Sequence, residues 1–201
     1  MFITFEGGEG SGKTSLIKEV SKWLVENGKP TLTTREPGGS FIAEQIRKVL
    51  LDNNNLDMSP KTEALLFAAS RVQHLEEIIL PALKENKIVL CDRYIDSSLA
   101  YQGYARGLGL EAILKANNFV LEYMPNYTIY IDVDPEIGLS RAHQRGASNR
   151  LDNEALTFHK RVREGYLKVS EMYKERFIII DGNCDMKTLI ERTLTKLKEI
   201  V

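Results

Sequence analysis

Short runs of apolar and β-branched residues recur at positions 2–5, 31–34, 88–91, 128–133 and 177–180, with stretches of helical periodicity between them. Runs that are apolar throughout, rather than alternating, are what a parallel sheet covered on both faces requires. Strand, helix, strand repetition therefore predicts an α/β fold with five strands in a doubly covered parallel sheet. Ser59-Pro60 and Asp134-Pro135 each set a capping side chain before a proline at the first helical position, and Gly28 closes the first helix. Within 60–80, Leu65, Ala68, Val72, Leu75 and Ile79 fall at helical spacing and predict one apolar core stripe. Two glycine-bearing polar segments, 102–109 and the basic stretch 141–150, read as mobile loops beside a site.

Composition narrows the function classes. With 201 residues, 43% hydrophobic and 27% charged, the chain suits one globular domain over 1–201, and no repeat or linker suggests a second. No run approaches the roughly 18 apolar residues of a membrane span, and Met1 leads straight into strand-like residues without a basic leader, so a cytoplasmic protein is expected. A net charge of -1 removes any global argument for a nucleic-acid or membrane surface, and an anion site must be local. Cys91 and Cys184 match no metal-ligand spacing and receive no role, and His74, His143 and His159 are scattered.

A local anion site is present. Gly7-Gly8-Glu9-Gly10-Ser11-Gly12-Lys13-Thr14 fits the G-x-x-x-x-G-K-[ST] pattern, after a predicted strand and at the start of a predicted helix. Glycines let backbone amides turn inward around a phosphate, and the helix N-terminus adds partial positive charge. Lys13 supplies a full charge, and the Thr14 hydroxyl suits Mg²⁺. A nucleoside triphosphate is the expected ligand. Asp92, ending the apolar run 88–91, takes the place of the second acidic element near the metal; without the loop it would read as a solvated turn aspartate. A switch-type GTPase should add a D-x-x-G element and an N-K-x-D base reader after a strand. Neither occurs; Asn149-Arg150-Leu151-Asp152 follows a helix and a polar loop instead. The L-S-G-G-Q signature of transporter ATPases is absent as well, which leaves a small-molecule kinase.

After the loop come Thr34-Arg35-Glu36-Pro37-Gly38-Gly39, Asp92-Arg93-Tyr94, Ser97-Ser98-Leu99-Ala100-Tyr101-Gln102-Gly103 and Asn149-Arg150-Leu151-Asp152. In that order, over residues 2–166, they closely resemble the bacterial thymidylate kinase family. The resemblance implies a phosphate-loop NTPase-type parallel five-stranded sheet with helices on both faces and a lid at about 138–153. It implies transfer of the γ-phosphoryl group of ATP to thymidine monophosphate, giving the diphosphate and ADP for dTTP and DNA synthesis. Mg²⁺ and a homodimer are expected with it; a nucleic-acid or membrane partner is not.

Residue by residue, the resemblance implies that Phe67 stacks on thymine while Arg71 and Gln102 hydrogen-bond its polar edge, and that Tyr101 lies against the deoxyribose. Phe67 and Arg71, four apart on one helix, share a face turned away from the apolar stripe and would flank a cleft. Arg35 and Arg93 would grip the acceptor phosphate, with Glu36 and Ser98 completing the polar network and Arg47 a further candidate. Lys13, Asp92, Arg93, Arg150 and Glu36 make the catalytic set, and Thr14 and Asp92 the metal set. The loop's variable positions, Gly8, Glu9, Gly10 and Ser11, include no base, so the resemblance assigns the missing charge to Arg141, Arg145 or Arg150 of the lid, with Arg150 first. Glu9 would approach the sugar 3′ side. Without the resemblance, Phe67 reads as core, Arg71 as a surface ion pair, Arg47 as an exposed helix arginine, and Arg141 as a solvated helix end.

Overall fold

Each predicted strand forms in the computed structural model, which describes residues 1–144, 146 and 149–201. They are β1 Phe2–Glu6, β2 Thr31–Arg35, β3 Ile88–Asp92, β4 Tyr127–Asp132 and β5 Phe177–Asp181. Four of them run one residue past the apolar pattern, and the added residues are Glu6, Arg35, Asp92 and Asp181. A polar side chain is tolerated there because the carboxyl ends of parallel strands open onto a crevice. The five strands make one all-parallel sheet in the order β2-β3-β1-β4-β5. Its register sets Asp92 beside both Phe5 and Arg35, and Glu6 beside Tyr130, which brings the site residues to a single edge.

Helices cover both faces. On one, Leu16, Ile17, Val20 and Leu24 of α1 (Lys13–Glu26) and Leu189 and Leu197 of α9 (Met186–Leu197) pack with Ile3, Phe5, Leu90, Ile129 and Ile131. Burying such side chains contributes about 1.5–3 kcal/mol each. On the other, Phe2, Val89 and Cys91 meet Leu75 and Ile79 from a π-helical turn, Leu75–Ile79, that joins α3 (Pro60–His74) to α4 (Leu80–Lys84). The remaining helices are α2 Phe41–Leu51, α5 Ile95–Ser98, α6 Leu110–Ala116, α7 Pro135–His143 and α8 Leu156–Met172. Ser59 and Asp134 cap as expected, accepting from the backbone N–H of Thr62 and Glu136. Among the described residues, no helix is long and apolar enough to cross a membrane.

The core stripe predicted over residues 60–80 holds at Ala68, Leu75 and Ile79, which are buried, and is corrected at its other two positions. Leu65 is 60% exposed and Val72 only half-buried, while Glu63, Ala64, Phe67, Ser70, Arg71 and His74 are buried. Apolar periodicity locates a buried face only where the buried residues are apolar, and this face carries a paired polar network instead.

Candidate active site

The phosphate loop links β1 to α1. Gly10 and Gly12 have φ of 67° and 90°, a region costly for residues with a Cβ. Gly10 also lies back to back with Gly138 of α7: a Cβ on Gly138 would stand 2.3 Å from the Glu9 carbonyl oxygen. The loop's curvature therefore depends on a glycine far away in sequence, which no local motif marks. Lys13 Nζ donates to the carbonyls of Gly7 (3.0 Å) and Gly8 (3.1 Å) and to Ser11 Oγ (3.1 Å). Burial and the neighbouring Arg93 cation bring its pKa down to about 8.

Thr14 Oγ1 donates to Asp92 Oδ2 at 2.8 Å, so the two expected metal residues meet across the α1–β3 gap. A hydroxyl and a carboxylate are the hard oxygen donors that suit Mg²⁺, which otherwise keeps water and substrate phosphates as ligands. The described residues hold no group of three or more His, Cys, Asp or Glu placed to hold a metal ion.

Asp92 also opens onto a cleft lined by Glu9, Thr14, Arg35, Glu36, Arg47, Phe67, Arg93, Ser98, Tyr101 and Gln102, with Asn149 and Leu151 from the 141–150 region and its margin. Arg93 leaves β3 at φ 71°, an uncommon conformation for a residue with a side chain and one that tends to be kept where function demands it. Its guanidinium donates to Glu9 Oε1 (2.7 Å), Ser97 Oγ (3.2 Å) and Tyr166 Oη (3.1 Å), and stands 5.1 Å from the Tyr101 ring centre. Tyr101 Oη donates to the same Glu9 oxygen at 3.0 Å. Burial works to raise the Glu9 pKa, but Arg93 and Lys13 outweigh it and hold this carboxylate well below its ordinary range. Burial and Glu9's charge push Asp152 upward in turn.

Arg35 pairs with Glu44 at 2.8 Å, and Arg47 donates to the Pro37 carbonyl at 2.6 Å. Burial and the Arg35 charge lower the Arg47 pKa, the mark of cations crowded around a space fit for an anion. Together with Arg93 they line the cleft with cations, while Phe67, Tyr101 and Gln102 line it with aromatic rings and an amide.

Two expected site residues stand elsewhere. Arg71 is 1% exposed and does not line the cleft. It lies beneath the cleft floor, donating to Glu36 Oε2 (2.8 Å), Asn117 Oδ1 (2.6 Å), the Tyr94 carbonyl (3.1 Å) and Ser98 Oγ (3.0 Å). With four of its five N–H groups used, it supports Glu36 and Ser98 rather than facing a base. Arg150, the first choice for the lid charge on the transferring phosphate, does not stand beside the phosphate loop. Its guanidinium is buried, donating to the Leu50 carbonyl (3.0 Å) and Glu63 Oε2 (2.7 Å), and so ties the 149–155 segment to α2 and α3. Arg141 donates to the Gly182 and Cys184 carbonyls, and Arg145 lies outside the described residues.

Three buried glutamates went unread or half-read in the sequence. Glu6 accepts from the Tyr94 N–H (2.7 Å), Ser97 Oγ (2.6 Å) and Tyr166 Oη (2.9 Å), and burial and Asp96 raise its pKa to about 7. Glu36 joins Arg71 to His74 Nδ1 (3.1 Å), whose Nε2 meets Thr34 Oγ1 at 2.6 Å. Glu63 accepts from Gln102, Arg106 and Arg150. For Glu6 alone a signal existed, an acid closing an apolar run; His74 and Glu63 sit on a helix with no mark of their partners.

The family model for thymidylate kinase matches residues 5–192. The thymidylate kinase of Acholeplasma laidlawii is 57% identical over 185 residues, covering 91% of each chain. That of Clostridium novyi is 52% identical over 200 residues and covers 98% of each. A crystal structure of thymidylate kinase from Ehrlichia chaffeensis superposes with a TM-score of 0.80 at 33% identity, over 98% of both chains. With a nearly full-length family match laid over the same sheet edge, phosphate loop and cationic cleft, the chain belongs to the thymidylate kinase family.

Proposed function

We propose that the cleft holds thymidine monophosphate with its phosphate toward Arg35, Arg47 and Arg93 and its base between Phe67 and Gln102, while ATP sits on residues 7–14. As a thymidylate kinase, the enzyme converts thymidine monophosphate to the diphosphate, with ATP as donor. The observation that carries the residue assignment is the make-up of this cleft, which brings Arg35, Arg47 and Arg93 together with Phe67, Tyr101 and Gln102 and opens on Thr14 and Asp92.

Phosphoryl transfer needs positioning and charge neutralisation more than acid–base chemistry. The acceptor phosphate, with a second ionisation near pH 6, is already largely anionic at neutral pH and needs no strong base. Lys13 would steady the donor phosphates. Arg93, locked by Glu9, Ser97 and Tyr166, would bridge donor and acceptor without reorganising. Thr14 and Asp92 would hold Mg²⁺, which when bound neutralises charge on the donor phosphates. Tyr101, fixed by Glu9, would pack on the sugar. The 138–153 segment would act as a lid excluding water, latched through Arg150 rather than supplying it to the reacting phosphate.

A homodimer is proposed as well. It rests on Phe41, Ile42 and Val49 on α2, Leu65 on α3 and Phe119 on the 3₁₀ turn Asn118–Tyr123, exposed apolar residues on elements that contact one another. Sedimentation velocity on wild type and Leu65→Lys checks it, the variant shifting toward monomer. A cytoplasmic location is the setting in which ATP is supplied. The activity is tested by ADP release from ATP and Mg²⁺ across a panel of nucleoside monophosphates with a no-acceptor control. Turnover confined to thymidine monophosphate is expected; turnover with no acceptor would overturn the assignment.

A further inference from the structure

Glu63 is 1% exposed and does not line the cleft, yet it touches a residue that does. Its Oε1 accepts from Gln102 Nε2 at 2.9 Å and Arg106 Nε at 3.2 Å; its Oε2 accepts from Arg106 (3.2 Å) and Arg150 (2.7 Å). Arg106 reaches on to Glu154 and lies 4.4 Å from the Phe158 ring centre. The cluster therefore holds two cations and two anions, three of the four groups largely withdrawn from water. Burial works to raise the Glu63 pKa, but Arg106, Gln102 and Arg150 outweigh it, so the group stays an ionised carboxylate.

An ionised carboxylate only accepts. Of the two ends of the Gln102 amide, only the NH₂ can face it, which leaves the carbonyl Oε1 as the remaining end. Among the described residues Gln102 Oε1 has no hydrogen-bond partner, and Gln102 lines the cleft beside Phe67 and Tyr101. The amide is carried on the π-helical segment Leu99–Ala105, a wide turn of the kind found at functional sites.

We propose that Glu63 is a positioning residue for base specificity: by taking the NH₂ of Gln102, it makes the cleft present an acceptor, favouring a pyrimidine whose N3 carries hydrogen over one whose N3 is a lone pair. The proposal rests on the reading of Gln102 as a partner of the base edge. A thymine or uracil ring donates its N3–H to Oε1. A cytosine ring sets its N3 lone pair against the Oε1 lone pairs, leaving two buried acceptors unsatisfied, the arrangement by which sites reject near-isosteres most strongly. Glu63 also receives Arg150, so base selection and lid attachment meet on one carboxylate.

The test compares kcat and KM for thymidine and deoxycytidine monophosphates. Glu63→Gln gives position 63 a side chain that both donates and accepts, which frees the Gln102 amide to turn. The thymidine-to-deoxycytidine ratio of kcat/KM is expected to fall at least tenfold, chiefly through KM. The double variant Glu63→Gln, Arg150→Met removes one cation with the anion, keeping the cluster's charges balanced should the single variant fold poorly, and should lose the same selectivity. Arg150→Met alone leaves the Glu63–Gln102 bond and should keep the ratio within twofold; an equal loss there would assign selectivity to the lid latch and overturn the proposal. Gln102→Leu separates the two layers. If it keeps the wild-type ratio, the reading of Gln102 fails and the Glu63 proposal with it. If it loses selectivity while both Glu63 variants retain it, the base reading stands and the Glu63 proposal falls.

Discussion

The phosphate loop takes its proposed anion-binding surface from eight consecutive residues, 7–14, whereas the proposed acceptor end draws Glu36, Phe67, Arg93, Tyr101 and Gln102 of the cleft from separate segments. The first is shaped mainly by backbone, with glycines permitting turns other residues resist. The second is shaped by side chains that three buried glutamates orient: Glu6 under Ser97, Glu36 on Arg71, and Glu63 behind Gln102. Backbone geometry at glycines changes little unless the glycine itself, or one packed against it such as Gly138, changes. Buried charge networks are sensitive to the loss of any member, because a partner left unpaired costs far more than the pair contributes. The acceptor end should therefore be the more fragile of the two, both in chemistry and in stability.

Arg93, proposed to serve both ends, should give the largest effect. Arg93→Ala is expected to lower turnover by about 10³ or more while nucleotide binding is largely kept, since a clamp arginine acts on the transferring group. Steady-state ADP release set beside titration with a fluorescent ATP analogue checks this; equal losses in both would place Arg93 wholly on the donor side.

Next in size, Arg71→Leu should cost about 3–5 kcal/mol of folding stability by leaving Glu36 buried without its cation. Urea unfolding at fixed pH measures it. A loss below about 1 kcal/mol would show that the floor of the acceptor pocket tolerates loss as well as the loop does.

Glu6 supplies a pH dependence. Its folded pKa of about 7 lies above the ordinary 4.5, so between those values the unfolded chain releases a proton that the folded chain keeps. The stability this group contributes is whole below pH 4.5 and declines as pH rises to about 7, by about 3 kcal/mol. Glu6→Gln, which mimics the protonated form, should gain on wild type across that window and hold a constant lead above it. Parallel stability curves for the two proteins would show that Glu6 is ionised throughout.

The smallest expected effect lies at the donor end. Gly138→Ala would push a methyl group into the Glu9 carbonyl, and a displacement of the loop by about 1 Å can cost up to roughly 10² in rate. The rise should appear in the KM for ATP, with the KM for thymidine monophosphate little changed. The reverse pattern would mean that α7 supports the acceptor end instead.

Much of this was legible in advance for reasons the particular elements make plain. Five apolar runs between helices could bury both faces only in a parallel sheet, and residues 7–14 carry much of their geometry in their own glycines, though the packing of Gly138 against Gly10 was not legible. Phe67, Tyr101 and Gln102 were reached through the family resemblance, and they do share one cleft. What stayed hidden was which polar groups satisfy one another. Leu65 looked like core and faces solvent, while Glu63 and His74, which no pattern marked, and Arg71 are buried. The direction of Arg150, inward to Glu63 rather than outward to a phosphate, followed from the same cause. Sequence alone determined the strands, their parallel packing and the phosphate loop, because hydrophobic burial and backbone turns act over neighbouring residues, while the strand order came from the structure. Only the tertiary structure decided the partners of Glu6, Glu36 and Glu63, because a buried charge is stabilised by whichever groups the fold brings within about 3 Å, and nothing in a residue's neighbours along the chain encodes that distance.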